Sequence, residues 1–338
     1  MKNRQQKVAI LVLNYNGNTI LNDCISSLRK TIYSNLEIFV IDNGSTDNST
    51  ESVDRVFPEI KLICFDENLG FCEAYNKASK EVDADYLLFL NNDITVSNPN
   101  WLEEMVKLIL GNSQIGVVGA KLLLPSNLNL IENVGGDICK WQGGTRIGTG
   151  EKDEGQYNGN RSLPFYISGA SFLIKKSLFI EAGGFDSEMF AYSEDLDLCW
   201  RLRLMGYKIQ TCPNAILIHR LSASWKKSMK SLYLSNRNFI RASMKNYSFG
   251  NLLKNIPPLL MTSLVFGFLA TLISRNGTFL LNMLKSIIHN VIHCGSTVKA
   301  RQVVQKKRMA SDQTVFKDTQ NCKIESISAI SKKLEVFV

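Results

Sequence analysis

Carboxylates and side-chain amides gather at a few points of the sequence in patterns that could hold a phosphorylated ligand. Four polar groups stand at the ends of apolar runs: Asn14-Tyr15-Asn16, Asp42-Asn43-Gly44-Ser45, Asn68-Leu69-Gly70 and Asn91-Asn92-Asp93. An aspartate that ends a strand can accept hydrogen bonds from a ribose hydroxyl or a base N–H, and Gly44 and Gly70 would let the backbone approach a ligand closely. Asp93 follows the apolar run Tyr86–Leu90. A hard divalent cation that keeps its waters needs only one or two protein carboxylates plus substrate phosphates. Asp93 could be that ligand; the structural alternative is a helix N-cap or an Asx-turn. Further on, Glu194-Asp195-Leu196-Asp197 opens a helix, where the helix dipole favours carboxylates in any case. Asp195 is the best placed of the three to act as a base. Asp197 and Arg201, four apart, pair on the surface or hold the loop. His219 ends a strand, where a lone histidine is more often structural than a ligand.

The elements that must position these residues alternate along the first 125. Val8–Leu13 is continuously apolar, as a central parallel strand would be. A helix over Asn18–Lys30 follows, then strand Glu37–Ile41, helix Thr46–Phe57, strand Ile60–Phe65, helix Phe71–Lys80, strand Tyr86–Leu90 and helix Trp101–Leu110. This alternation predicts an α/β fold with an open, mostly parallel, doubly wound sheet. In such sheets ligands bind beyond the carboxyl ends of the strands, where the four polar groups fall. Residues 126–160 are rich in Gly and Asn and read as a loop and hairpin excursion. Leu196–Met205 reads as helix and Ala215–Ile218 as strand.

The 338 residues are 45% hydrophobic and 21% charged, so collagen-like and wholly disordered chains are excluded. Eight scattered cysteines form no CxxC, which disfavours a disulfide framework or structural zinc and suits free thiols in a reducing cytosol. The net charge of +8 is unevenly spread. Residues 1–197 carry 17 Lys/Arg against 27 Asp/Glu, whereas residues 198–311 carry 18 Lys/Arg and no acid. The second part therefore faces something anionic: phospholipid, nucleic acid or an anionic substrate. No GxGxxG follows the first strand and there is no GxxxxGK[ST], which disfavours a dinucleotide or P-loop site.

The opening apolar run is too short for a signal peptide, so the first part is expected in the cytosol. Ile256–Ile273 is about 27 Å long as a helix, borderline for a span, and carries Pro257-Pro258 near its start. Thr278–His293 is amphipathic, with Phe279, Met283, Ile287 and Val291 on one side. Basic residues flank both ends of this region, so a single crossing would oppose the positive-inside tendency. An in-plane or re-entrant attachment is expected, with Lys226, Lys227, Lys230, Arg237 and Arg241 meeting a phosphate or the anionic leaflet. The implied organisation is a catalytic domain over 1–223, with a nucleotide-binding half at 1–125 and an acceptor-binding half at 126–223. A basic, amphipathic, membrane-associated helical region follows at 224–298, and a polar tail at 299–338.

Taken in order, the strand-end groups resemble a known family, together with Gly183-Gly184-Phe185-Asp186 and Glu194-Asp195-Leu196-Asp197-Leu198-Cys199-Trp200-Arg201. The sequence looks like the family-2 inverting glycosyltransferases, most of all their rhamnosyltransferase-like subset, over roughly residues 7–245. The resemblance implies a GT-A fold. By it, Asp42 would hold the nucleotide base or ribose, with Asn14, Asn16, Asn43, Asn68, Gly70, Asn91, Asn92, Glu194 and Arg201 serving substrate binding. Asp93 matches the last acid of the family's DxD motif and would bind Mg²⁺ or Mn²⁺. His219 matches a position that adds a metal contact in some relatives, and Asp195 matches the catalytic base. The first acid of the DxD is Asn91 here, so the site has one anionic ligand fewer. The QxxRW signature of processive synthases is absent, which favours addition of one or a few sugars. The implied partners are a nucleotide-diphosphate sugar, a saccharide or lipid-linked acceptor and an anionic membrane surface on the cytoplasmic side, without nucleic acid. The competing readings are a nucleotidyltransferase, which lacks its Gly-rich basic loop here, and a nucleic-acid binder, which lacks interleaved aromatics.

Overall fold

Val8, Ala9, Ile10, Leu11 and Val12 have no exposed surface, the condition of a strand with neighbours on both edges and helices on both faces. The computed structural model describes residues 5–159, 163–220, 228–317 and 319. Trp225, Lys226, Lys227, Cys322 and the second half of the polar tail lie outside the described residues.

The chain begins with β1 (Val8–Asn14), α1 (Asn18–Leu28), β2 (Leu36–Asn43), α2 (Ser49–Val56), β3 (Lys61–Phe65), α3 (Gly70–Glu81), β4 (Tyr86–Asn91) and the short β5 (Ile94–Val96). β1 pairs in parallel with β2 and β4, with Asn14 opposite Asp42 and Leu13 opposite Asn91. β2 pairs in parallel with β3. The polar ends of β1, β2 and β4 therefore lie side by side at one edge of the sheet.

Next come α4 (Trp101–Gly111), β6 (Ile115–Leu124), β7 (Asn127–Asn133), β8 (Gly136–Cys139), β9 (Gly143–Arg146), β10 (Ser171–Lys175), α5 (Lys176–Ala182), α6 (Glu194–Leu204) and β11 (Lys208–His219). The sheet order is β3-β2-β1-β4-β10-β6-β11-β5, with β7 on the side of β6. β10 runs antiparallel to both β4 and β6. The sheet is thus parallel through its first four strands and mixed beyond them. β11 is longer than the four residues its sequence suggested, because its register shifts between Cys212 and Ile216. Pro213, which has no N–H to offer a ladder, falls in that break. One face of the sheet packs α1 and α4 through residues such as Cys24, Ile25, Trp101 and Met105. The other face carries an aromatic cluster, with Phe89 centred 4.9 Å from Phe179 and 5.1 Å from Phe185.

The C-terminal part is helical: α7 (Met229–Asn246), α8 (Phe249–Ser274), α9 (Thr278–Ile292), α10 (Cys294–Lys306) and α11 (Asp312–Val315). The chain forms two compact units. The first gathers residues 5–136, 146–190 and 207–220, and the second gathers 137–145, 191–206 and the described residues from 228 onward. The stretch 126–223 is accordingly shared between units, and α10 runs through the boundary expected at residue 298.

Within the second unit α7 is the central helix, packed by α6, α8, α9 and α10. Much of the basic charge is used internally. Arg301 Nη1 donates to the carbonyls of Met244 (2.9 Å) and Tyr247 (2.6 Å) at the end of α7, where helix carbonyls lack partners of their own. Arg241 is buried and bonds Ser296 (3.2 Å) and Thr297 (2.9 Å). It therefore faces α10, and not a leaflet as its sequence context suggested. α8 keeps its two prolines inside the helix. It is long and apolar enough to cross a bilayer by length and composition alone. Its buried stripe is Asn255, Leu259, Ser263, Gly267 and Ala270, while Leu253, Met261, Val265, Phe268 and Leu272 are exposed. On α9, Phe279, Met283, Ser286 and Asn290 are buried, and Leu281, Ile288, Val291 and Ile292 are exposed.

Candidate active site

The strand-end asparagines hold one another. Asn14 Nδ2 donates to Ser49 Oγ (2.8 Å) and Ser45 Oγ (3.2 Å), and Asn92 Nδ2 donates to Asn14 Oδ1 (3.0 Å). Asn16 Oδ1 accepts from the Thr46 N–H (2.8 Å). Asn43 Oδ1 accepts from the Leu69 N–H (2.9 Å) while its Nδ2 reaches Asn68 Oδ1 (3.1 Å). These bonds tie the loops after β1, β2, β3 and β4 into one platform, with Asp42 at its edge accepting from the Ser45 N–H (3.3 Å). The two glycines have a different reason from close approach of a ligand. Both have positive φ, and a Cβ on Gly44 would lie 2.6 Å from the Glu67 backbone, one on Gly70 2.5 Å from the Phe190 ring. They let the platform pack on itself.

Asp93 lies in the turn between β4 and β5, and β5 pairs with the end of β11 so that Ile94 faces His219. The pairing brings the two candidate metal ligands together. His219 Nε2 is 3.2 Å from Asp93 Oδ1, and both side chains are buried. On the other side of the ring, Nδ1 is 3.5 Å from Glu132 Oε2. Glu132 itself bonds Arg146 (2.7 Å). Burial alone would lower the His219 pKa. The hydrogen bonds and charges of Asp93 and Glu132 outweigh it and push the value up to about 9.

A carboxylate oxygen and an imidazole nitrogen 3.2 Å apart fit two adjacent ligands of a small divalent cation, whose octahedral edge is about 3 Å for bonds of about 2.1 Å. Among the described residues no group of three His, Cys, Asp or Glu is arranged around a cation position. The pair fits a cation that takes its other ligands from water and a diphosphate. Glu132, on the second ring nitrogen, stands where a carboxylate orients a metal-binding histidine. Sequence reading missed Glu132, since nothing local marks it and it lies 87 residues from His219.

The acids of α6 belong to the second unit, and their environments differ sharply. Glu194 is buried; burial and the charges of Asp195 and Asp197 hold its carboxyl well above the usual carboxylate range. Asp197 is fully buried and accepts from Arg201 Nε (2.9 Å), Lys245 Nζ (3.0 Å) and Asn246 Nδ2 (3.0 Å). The Asp197–Arg201 pair is therefore interior, correcting the expectation of a surface pair, and it anchors α6 to α7. Asp195 alone of the three is partly exposed. Its turn is strained: Tyr192 and Ser193 have φ of +72° and +64°. Such strain concentrates at functional sites.

Comparison with known proteins agrees with this architecture. A model of the glycosyl transferase family 2 matches residues 9–180, about half of the chain. The chain is 28% identical over 231 residues to the O-antigen biosynthesis protein RfbC of Myxococcus xanthus, covering 64% of this chain and 18% of RfbC. It is 26% identical to the poly-beta-1,6-N-acetyl-D-glucosamine synthase of Staphylococcus aureus strain COL, covering 66% of this chain and 53% of the synthase. The chain thus spans about half or less of these relatives' lengths. Among solved structures it is similar to the mannosyltransferase PcManGT of Pyrobaculum calidifontis in complex with GDP-Man and Mn²⁺. The TM-score is 0.53 at 14% identity, covering 90% of this chain and 86% of that one. The fold is accordingly GT-A, and the family model's match over residues 9–180 shows that the chain belongs to glycosyl transferase family 2.

Proposed function

We propose that this protein transfers a sugar, with inversion, from a nucleotide-diphosphate donor to a hydroxyl of a growing cell-surface glycan or lipid-linked saccharide. We place dTDP-rhamnose first as donor and a UDP-sugar second. The observation that carries the reading is the Asp93–His219 pair beside the platform of strand-end loops. A buried carboxylate and imidazole at the carboxyl ends of the strands suit a diphosphate and its cation. Asp42 then holds the base or ribose, while Asn14, Asn16, Asn43, Asn68, Asn91 and Asn92 shape the loops around the nucleotide.

Asp93 and His219 would hold a divalent cation, Mg²⁺ or Mn²⁺; when bound it stabilises the negative charge that grows on the leaving nucleotide. Glu132 keeps the His219 ring oriented. Asp195, the partly exposed acid of α6, takes the proton from the acceptor hydroxyl. Glu194 beside it is buried and its carboxyl is held well above the usual carboxylate range by burial and the neighbouring acids, which leaves Asp195 as the partly exposed acid of the turn. No covalent enzyme intermediate is required. The similarity to proteins named for O-antigen biosynthesis and for poly-N-acetylglucosamine synthesis supports a polysaccharide as acceptor class. The missing QxxRW supports addition of one or a few sugars.

We further propose that α8 and α9 dock the second unit in the plane of an anionic bilayer, on the cytoplasmic face. Their outward residues are apolar apart from Lys254, Thr278 and Lys285, and residues 198–311 contain no acid. A second copy would set lysine against lysine, whereas anionic headgroups complement this face. The test of the donor site is calorimetric titration of dTDP, UDP, GDP and CDP with Mn²⁺ and with EDTA. Cation-dependent binding of one diphosphate is expected; a folded protein that binds none of them removes the donor-site reading.

A further inference from the structure

The backbone of the turn that delivers Glu194 and Asp195 is held by a buried side chain of α7. The carbonyls of Ala191 and Tyr192 both accept hydrogen bonds from Asn238 Nδ2, at 2.8 and 2.7 Å. Asn238 lies on α7 and has no exposed surface. Arg237 Nε donates to Asn238 Oδ1 at 2.8 Å, which turns the amide so that its two N–H groups face the loop. Its helix is fixed in turn: Asn236 Oδ1 accepts from Ser263 Oγ of α8 (2.9 Å), and Asn290 of α9 donates to the Arg237 carbonyl (2.9 Å).

The held carbonyls lead directly into the left-handed backbone of the turn, since Tyr192 is one of the two residues held and Ser193 follows it. Neither is glycine, so the conformation is costly and persists only where the surroundings over-determine it. A single buried amide that donates to two successive carbonyls is such a constraint, and no other side chain of this size supplies it. Aspartate has the same shape but, ionised, only acceptors, and would set them against two carbonyl oxygens.

We infer that Asn238 is a positioning residue for transfer, fixing the strained turn from which Asp195 meets the acceptor hydroxyl. The inference rests on the assignment of Asp195 as base. The experiment compares the full chain with Asn238→Ala, Asn238→Asp and Asp195→Asn. Steady-state transfer, donor-nucleotide binding and hydrogen exchange of the amides of residues 193–197 are measured on each. For Asn238→Ala, kcat should fall on the order of 10- to 100-fold, with donor KM within about twofold and faster exchange at residues 193–197. Asn238→Asp should be at least as impaired. Should it fail to fold, Asn238→Ser, which keeps one donor, should lie between wild type and alanine. Wild-type kcat in Asn238→Asp overturns the inference, as does a kcat loss with unchanged exchange, or one matched by an equal loss of donor affinity. Asp195→Asn separates the two claims, since it should abolish transfer and leave donor binding intact. Full turnover there removes the base and with it the catalytic part of the inference. Faster exchange in Asn238→Ala would still uphold the hold on the turn.

Discussion

Asp197→Ala removes a buried carboxylate that faces both Arg201 and Lys245 in the interior of the second unit. In the native protein the three charges sum to +1, with the Asp197 oxygens 2.9 Å from Arg201 Nε and 3.0 Å from Lys245 Nζ. After the substitution a guanidinium and an ammonium remain buried beside a methyl group. Removing one partner of a buried pair costs about 3–5 kcal/mol, and because two cations lose this carboxylate at once the upper end applies. Lys245→Met is the informative control. It removes one charge-assisted hydrogen bond, worth about 1.5–3 kcal/mol, but leaves Asp197 neutralised by Arg201 and bonded to Asn246. It also relieves the burial of an ammonium. Its net cost should therefore stay under about 2 kcal/mol, and the two substitutions should differ by a factor of two or more in free energy. Urea denaturation followed by circular dichroism gives both values, and hydrogen exchange in α6 and α7 locates the loss. Equal costs, or a larger cost for Lys245→Met, would falsify the claim that Asp197 is the hub and that charge balance governs this site.

Three other outcomes are expected. Asp93→Ala should weaken nucleotide-diphosphate binding mainly when Mn²⁺ is present, and equal losses in calorimetry with and without the cation would contradict a ligand role. Asp312 should make the protein acid-sensitive. Although burial opposes ionisation, hydrogen bonds from Ser248, Asn251 and Arg308 hold its pKa below the usual aspartate value. The stability it adds is complete above the unfolded pKa of about 4 and is lost as pH falls through the lower folded value. Asp312→Asn should flatten that limb of the stability–pH curve, and an unchanged acid limb would remove Asp312 from the account. Finally, Met261→Asp with Ile288→Asp should abolish flotation with anionic vesicles while leaving diphosphate binding intact. Flotation that persists would rule out α8 and α9 as the docking face.

What the sequence made legible was local. The runs that became β1 to β4 are apolar on both faces, and each polar group follows its strand directly, so Asp42 and Asp93 could be read in place. Whatever depends on distant pairing was hidden. The antiparallel placement of β10 depends on neighbours that no periodicity encodes. Glu132 sits in a Gly- and Asn-rich stretch and acquires meaning only when β6 and β11 bring it to His219. The spacing of Asp197 and Arg201 announced their pairing, but its burial depends on Lys245 and Asn246, nearly fifty residues on. Asn238 looked like one more polar residue of a basic helix. Its significance lies in two carbonyls that have no side-chain identity at all.

The central position of α7 has a consequence for which acceptors can be served. Asn238 grips the turn before Asp195, while Asn236 and the Arg237 carbonyl, two residues and one residue earlier, are pinned to α8 and α9. The acid and the apolar face are thus mounted on neighbouring turns of one strut, with little compliance between them. If that face rests on headgroups, Asp195 stands at a set altitude above the bilayer. A lipid-borne glycan would then be selected by reach as well as by chemistry. A hydroxyl tethered too close to the surface, or carried past that altitude by a longer chain, would miss the base even when its sugar is correct. Growth of the saccharide would end the reaction by geometry.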